Sequence, residues 1–383
     1  MKFLNKFLLT AFFLAVIYSI PILTKLDETK GYSASENRPL AEAPVLSAEN
    51  VMDGTYFSGW EKYLSDHIYM RDDWLIAHTR YQLLSGHKVV RDVVITDSVL
   101  LPYVAYDAPN VWAEALAEEM ADKYAALAEY TADYGGGFLY VNVPEQCSIL
   151  RELYPAGMYN GGLKYDSENE AFRAAMENRG VNYLDMRDVF VASGNALRFY
   201  MATDHHYNMR GAFETYLAIC DFLNLTPAAG AEFHTLENTF YGSRGRKIFN
   251  QTPFNDKLEY ITFDPAVTFT RFDYGNPGAP VVYSLPASPE DIVAYTLYMG
   301  GDVAQTVIET GRPELPNVLI FGDSFTNALE TVLYASCNTM VSLDLRHYTE
   351  SLYEYLEAFK PDVVICLRDD TQTLSSDGNG RGW

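Results

Sequence analysis

"PNVLIFGDSFTNALETVL", residues 316–333, is an unbroken apolar run that ends at Gly322-Asp323-Ser324 and passes at once into a helical pattern. A strand that is apolar on both faces belongs to a covered, mostly parallel sheet. The turn at its carboxyl end is where open α/β sheets present ligand-binding groups. The same alternation recurs on both sides. "VWAEALAEEMADKYAALAEYTADYGGG" reads as a helix stopped by glycines, followed by the strand "FLYVNVP". "ENEAFRAAMENRG" and "VNYLDM" repeat the pair, and "RGAFETYLAICDFLN" adds a helix. After a loop-rich, aromatic region near 230–287 come "NTMVSL", the helix "ESLYEYLEAF" and "PDVVICL". These predict an α/β fold with a mostly parallel central sheet and helices on both faces.

The 383 residues, 48% hydrophobic with 25 Gly and 17 Pro, read as globular. A formal charge of −23 argues against nucleic acid as a partner. Lys2 and Lys6 precede an apolar run from Phe7 to Leu23. That reads as a signal-anchor or a cleaved signal peptide over 1–23, the anchor favoured because no clean cleavage site follows. Either reading puts the remainder outside the cytoplasm. Residues 24–50 read as a linker, and 51–383 as the main domain. Within it, 51–110 supply amphipathic helices at 56–86 and a hairpin turning at Thr96-Asp97-Ser98, expected to pack on the rest. Cys147, Cys220, Cys337 and Cys366 show no metal-binding or redox spacing, and Cys366 sits in an apolar run as a core residue would.

A serine needs a general base, and the base needs an orienting group. "MATDHHYNMRG", residues 201–211, offers both: Asp204 spaced to hold one ring nitrogen of His206 while the other faces Ser324. His205 would alternate away in an extended segment and read as a supporting or packing residue. The alternatives are ordinary. Asp and Ser also cap helices, and an Asp-His pair can be structural. A metal site needs more converging ligands than this pattern offers, so no metal and no cofactor is expected.

"TDHHYNMRGAF" (203–213) resembles the signature of the DHHW proteins, relatives of the SGNH-like alginate O-acetyltransferases, with Tyr207 where the family has Trp. "SENRPLAEAP" (35–44), "YLSDHIYMRDDW" (63–74), "FYGSRGRK" (240–247), "YTLYMGGD" (295–302), "LIFGDSFTNAL" (319–329) and "SLDLRHY" (342–348) follow the family's order. The resemblance implies an SGNH-hydrolase-like fold with permuted motif order, the Asp-His block preceding the serine block. It implies a Ser324–His206–Asp204 triad in an exported O-acyltransferase or acetylesterase acting on cell-surface polysaccharide. The partners would be a polysaccharide acceptor and an acyl donor, with a membrane acyl-transfer protein as a further candidate. The family's Gly-x-Asn-Asp block is reduced to "PDVVICLRDD", without the Asn that donates to an oxyanion. Arg346 and Tyr348 are the substitutes that the resemblance suggests, with Gly300 and Gly301 offering backbone N–H groups and Tyr207 a substrate or packing contact. The alternative function is a non-catalytic glycan-binding surface protein, its 29 Tyr and 21 Phe supplying stacking surfaces.

Overall fold

The structure, a computed structural model, describes residues 2–27, 31–33, 36, 38–283 and 285–375. Part of the expected linker (28–30, 34, 35 and 37), including two positions of the 35–44 motif, lies outside the described residues. The chain divides into two compact units, residues 1–91 with 245–252, and residues 92–244 with 253–383.

The second unit is built on an eight-stranded sheet. Its strands are β1 (Gly137–Val143), β2 (Tyr183–Asp185), β3 (Thr270–Asp273), β4 (Asn276–Pro277), β5 (Gln305–Glu309), β6 (Asn317–Gly322), β7 (Thr339–Leu343) and β8 (Val363–Asp369). They lie side by side in the order β4-β3-β5-β7-β6-β8-β1-β2. The five strands from β7 to β2 are parallel. β5 joins β7 antiparallel, and β3 and β4 continue that edge antiparallel. The mostly parallel reading therefore holds for the half that carries Ser324, while the far edge reverses direction.

The unbroken apolar strands follow from burial on both faces. Leu319 and Phe321 of β6, Phe138 and Tyr140 of β1, and Val364 and Cys366 of β8 face one core. Helices Ala113–Asp133, Gly162–Asn178 and Leu352–Phe359 cover it with Tyr124, Phe172 and Leu356. Val318, Ile320, Leu139 and Ile365 alternate to the opposite face and are completely buried too. Helix Thr326–Leu333 leaves β6 to pack on helix Met209–Phe222. At the carboxyl edge Gly322 is required by contact: a Cβ there would collide with the Leu367 carbonyl oxygen. Val93–Ile95 and Leu100–Pro102 pair as the hairpin around 96–98.

In the first unit the helix Lys2–Leu26 contains a 21-residue stretch, Lys6–Leu26, long and apolar enough to cross a bilayer. A signal sequence meets the same description. Helices Thr55–His67 and Arg71–Leu84 follow it. Arg38 and Arg71 converge on Glu36 and Asp66 between these segments.

Candidate active site

Ser324 stands two residues past the carboxyl end of β6, in the turn into helix Thr326–Leu333. The Asp323 carboxylate fixes that turn from both sides, accepting from Phe325 N at 3.0 Å and from Asp369 N, at the end of β8, at 2.9 Å. The buried Tyr207 hydroxyl donates to the Phe325 carbonyl. Tyr295 Oη donates to the Ser324 carbonyl at 3.3 Å. Among the described residues no protein group accepts the Ser324 N–H.

Residues 201–207 arrive from the loop before helix Met209–Phe222. Asp256 holds that loop by accepting from Ala202 N and Thr203 N at 2.8 and 2.7 Å. Asp204 is 3% exposed, and its Oδ1 accepts from His206 N at 3.1 Å and pairs with His206 Nδ1 at 2.6 Å. The other oxygen accepts from Ser243 N at 2.6 Å. Burial opposes charge on this carboxyl, but the hydrogen bond and charge of His206, then His205 and the Ser243 N–H, hold it far below the usual carboxylate range. On the remaining imidazole nitrogen, His206 Nε2 lies 2.7 Å from Ser324 Oγ. The ring is stacked flat on Tyr295, centroids 3.8 Å apart and planes 5° apart.

Behind Asp204 a buried polar layer fixes its backbone. Gln146 Nε2 donates to the Asp204 carbonyl at 3.0 Å, and Arg244 Nη1 approaches it at 3.4 Å. Arg244 is also bonded to Glu145, Gln146 and the Leu100 carbonyl. Burial opposes charge on Glu145, but the adjacent Arg244 and the Cys147 N–H hold its carboxyl below the usual range. Gly242 permits the approach, because a Cβ there would strike the Thr203 backbone.

His205 turns the other way. Its Nδ1 meets Ser243 Oγ at 2.8 Å, and its side chain, 40% exposed, lines the cleft that holds Ser324. Burial and the adjacent His206 push its imidazole down to about 4, so it is neutral at neutral pH. Asp323, Asp369, Arg346 and Arg368 line the same cleft. Burial and the Asp323 carboxylate raise the Asp369 carboxyl well above its usual range.

The expected oxyanion and substrate residues divide. Arg346 lines the cleft, but its Nε and Nη2 close on Asp344 at 2.9 and 2.7 Å, and Nη2 also reaches Asp302 at 3.0 Å. Its charge is shared with two carboxylates rather than turned whole toward the serine. Tyr348 is not among the residues that line the cleft: its ring belongs to the apolar core and its hydroxyl donates to Glu350 at 3.2 Å. Gly300 and Gly301 form a tight turn of their own. Both take left-handed φ, 85° and 94°, the Gly301 N–H closes the turn on the Tyr298 carbonyl at 3.0 Å, and neither lines the cleft. Tyr207 is completely buried under the serine turn, its ring edge-on to Phe325.

Among the described residues two groups offer three ligand atoms each within 4.8 Å, Asp204-His205-His206 and Asp302-Asp344-His347. In the first, one oxygen and one nitrogen are committed to each other at 2.6 Å. In the second, Arg346 already occupies both carboxylates. Sequence reasoning attached no role to Tyr295, Ser243, Gln146 or the Glu145–Arg244 pair. The first two lie within motifs noted above, 295–302 and 240–247, which were the available signal.

Residues 103–245 match the family model described as SGNH hydrolase-like domain, acetyltransferase AlgX. No curated protein matches the chain. Bacillus cereus PatB1, solved with a sulfonyl adduct, is similar in structure with a TM-score of 0.60 and 19% identity, over 74% of this chain and 96% of that one. A second PatB1 structure gives 0.59 and 20%, over 73% and 96%. A DHHW family protein from Eubacterium siraeum gives 0.58 and 18%, over 76% and 96%. At these identities the likeness is one of fold. Together the family match and the shared fold are a distant similarity to the broad group of SGNH-hydrolase-like and DHHW proteins.

Proposed function

We propose that the protein is an exported, membrane-tethered serine O-acyltransferase or acetylesterase acting on O-acyl groups of a cell-surface polysaccharide, through Ser324, His206 and Asp204. The observation that carries this reading is the continuous hydrogen-bonded chain from Asp204 Oδ1 through both nitrogens of His206 to Ser324 Oγ, 2.6 and 2.7 Å long at its two links. An ionised, buried Asp204 fixes the His206 tautomer with the proton on Nδ1, leaving Nε2 as the base.

In the proposed reaction Ser324 Oγ attacks the acyl carbonyl carbon and its proton passes to His206 Nε2. The tetrahedral intermediate collapses, the C–O bond to the leaving alcohol breaks, and His206 returns the proton to that alcohol. A sugar hydroxyl or water then gives its proton to His206 Nε2 and attacks the acyl-serine carbonyl; the second intermediate collapses, the bond from the acyl carbon to Ser324 Oγ breaks, and His206 returns the proton to Oγ. The negative oxygen of each intermediate is held by the Ser324 N–H, which has no competing protein acceptor among the described residues. Tyr295 stacked on His206 limits ring rotation and shields the proton-transfer path from water.

The similarity of 103–245 to an acetyltransferase domain supports acyl chemistry. The apolar N-terminal helix supports tethering, with the cleft on the extracytoplasmic side and residues 51–383 as the exported part. Incubation with a chromogenic acetyl ester, with and without an oligosaccharide acceptor, tests the proposal. Turnover by the intact chain and none by Ser324→Ala is the expected result. A fold retained only to bind glycan predicts no turnover by either and acceptor binding unchanged in the variant.

A further inference from the structure

One exposed segment of the first unit carries more apolar surface than a water-facing helical hairpin requires. At the tip between helices Thr55–His67 and Arg71–Leu84, Ile68, Met70 and Trp74 are 40, 45 and 60% exposed, and Leu64, one turn earlier, is 53% exposed. Met70 holds a left-handed backbone, φ 56°, which a non-glycine residue adopts at a cost and which turns the chain sharply here. The same turn sets Arg71 against Glu36 and the Ser65 carbonyl, and leaves the apolar side chains of the tip outside that pairing.

The position of the tip supplies the reason. Tyr69 N donates to Thr24 Oγ1 at 3.0 Å, and Trp74 Nε1 donates to the Tyr69 carbonyl at 3.2 Å. The tip is therefore tied to the last turn of the apolar stretch Lys6–Leu26. Twenty-one helical residues rise about 30 Å, the thickness of the hydrocarbon layer, so all of that stretch is needed to span it. If it spans, Thr24 stands at the boundary between acyl chains and headgroups, and Tyr69 and Trp74 stand beside it. Tryptophan, with an apolar ring and one N–H donor, is the residue most suited to that depth. Of the charged residues between Met70 and Trp74, Arg71 and Asp72 are half-buried and paired, Arg71 also reaching Glu36, and Asp73 is exposed. The acidic pair gives no attraction to anionic lipid, so contact is apolar and independent of headgroup charge.

We infer that the tip formed by Ile68, Met70 and Trp74 is a membrane-docking surface, seated in the headgroup layer of the leaflet at which the N-terminal helix ends. The occupant is lipid, and the docking would fix the orientation of the first unit on the membrane. This rests on the reading of the helix as a membrane anchor.

The full chain reconstituted in phosphatidylcholine vesicles provides the test. Flotation first reports anchoring. Tryptophan fluorescence is then compared between the wild-type chain and Trp74→Phe, so that the difference reports Trp74 alone without burdening the fold. Lipids spin-labelled near the headgroup should quench that difference signal about twofold, lipids labelled deep in the chains should quench it less, and aqueous iodide should have little access. A chain that floats while Trp74 stays unquenched by either lipid and open to iodide overturns the docking surface and leaves the anchor standing. Shielding from both lipid and iodide would mean that protein covers the tip, which also overturns it. A chain that fails to float removes the anchor and the docking surface together.

Discussion

Two short segments at the carboxyl edge of the sheet are built on one local plan and end in different chemistry. In Asp204-His205-His206 and in Asp344-Leu345-Arg346 an aspartate accepts from the backbone N–H two residues on, at 3.1 and 3.0 Å. In both it also binds the side chain of that residue, His206 Nδ1 at 2.6 Å and Arg346 Nε at 2.9 Å. The difference lies in what the basic group has left. Imidazole keeps a second nitrogen, which reaches Ser324 Oγ and can take up its proton and return it. Guanidinium stays charged, and its remaining fork is drawn to Asp302 as well as Asp344. One clamp orients a base; the other closes on itself at the cleft rim.

The largest expected effect separates the two clamps directly. Asp204→Asn should lower ester turnover by about 10⁴-fold, because the amide favours the wrong imidazole tautomer, and Ser324→Ala or His206→Ala should cost at least as much. Asp344→Asn, at the matching position, should stay within about tenfold of wild type. Equal losses at 204 and 344, read from steady-state kinetics of soluble ester hydrolysis, would erase the distinction.

The layer behind the first clamp comes next. Arg244→Met strands the buried Glu145 carboxylate and should destabilise the fold by about 3–5 kcal/mol, seen as a lower denaturation midpoint. Arg346→Gln, by contrast, removes a partly exposed pair worth about 1 kcal/mol or less. A third comparison bears on catalysis at the rim. Arg346→Lys should lower kcat by less than about tenfold, whereas a loss of about 10² or more with KM unchanged would mean that the guanidinium donates to the oxyanion after all.

Tyr207→Phe deletes the donor to the Phe325 carbonyl while keeping the buried ring, and should cost about 1 kcal/mol of stability with a small fall in kcat. The smallest effect concerns His205. Its folded pKa, about 4, lies below the ordinary 6.5, so between those values the unfolded chain binds more protons and stability rises with pH. The contribution is fully present above about 6.5 and is lost as pH falls toward 4. His205→Asn should flatten that part of the Tm profile slightly, since the side chain is 40% exposed and screened. An unchanged slope would mean that His205 does not carry the effect.

Local pattern made the Ser324 half of the fold legible. Continuous apolar strands can only be doubly covered, and Gly322-Asp323-Ser324 between strand and helix marks the carboxyl edge. The antiparallel edge was not legible. Thr270–Asp273 and Gln305–Glu309 are short, mix polar with apolar residues, and owe their strand state to pairing with each other and with Thr339–Leu343. The site shows the same division. Asp204 and His206 are two residues apart, so one turn suggests their pairing, and the motif order suggests Ser324 as their partner. Tyr295 stacked on His206, Asp256 gripping Ala202 and Thr203, and Asp302 drawing off Arg346 are contacts between distant segments that no spacing announces. Tyr348 and the Gly300-Gly301 turn, assigned to the oxyanion by resemblance or by their free-looking amides, had local partners of their own, Glu350 and Tyr298.

Acylation of Ser324 can be read from the mass of the protein during turnover of a chromogenic acetyl ester quenched with acid. A population heavier by one acetyl group is expected, the label mapped by peptide sequencing to Ser324, absent from Ser324→Ala and accumulating in Asp204→Asn only slowly. An acetyl group found on another residue, or ester turnover at the wild-type rate in Ser324→Ala, would contradict it.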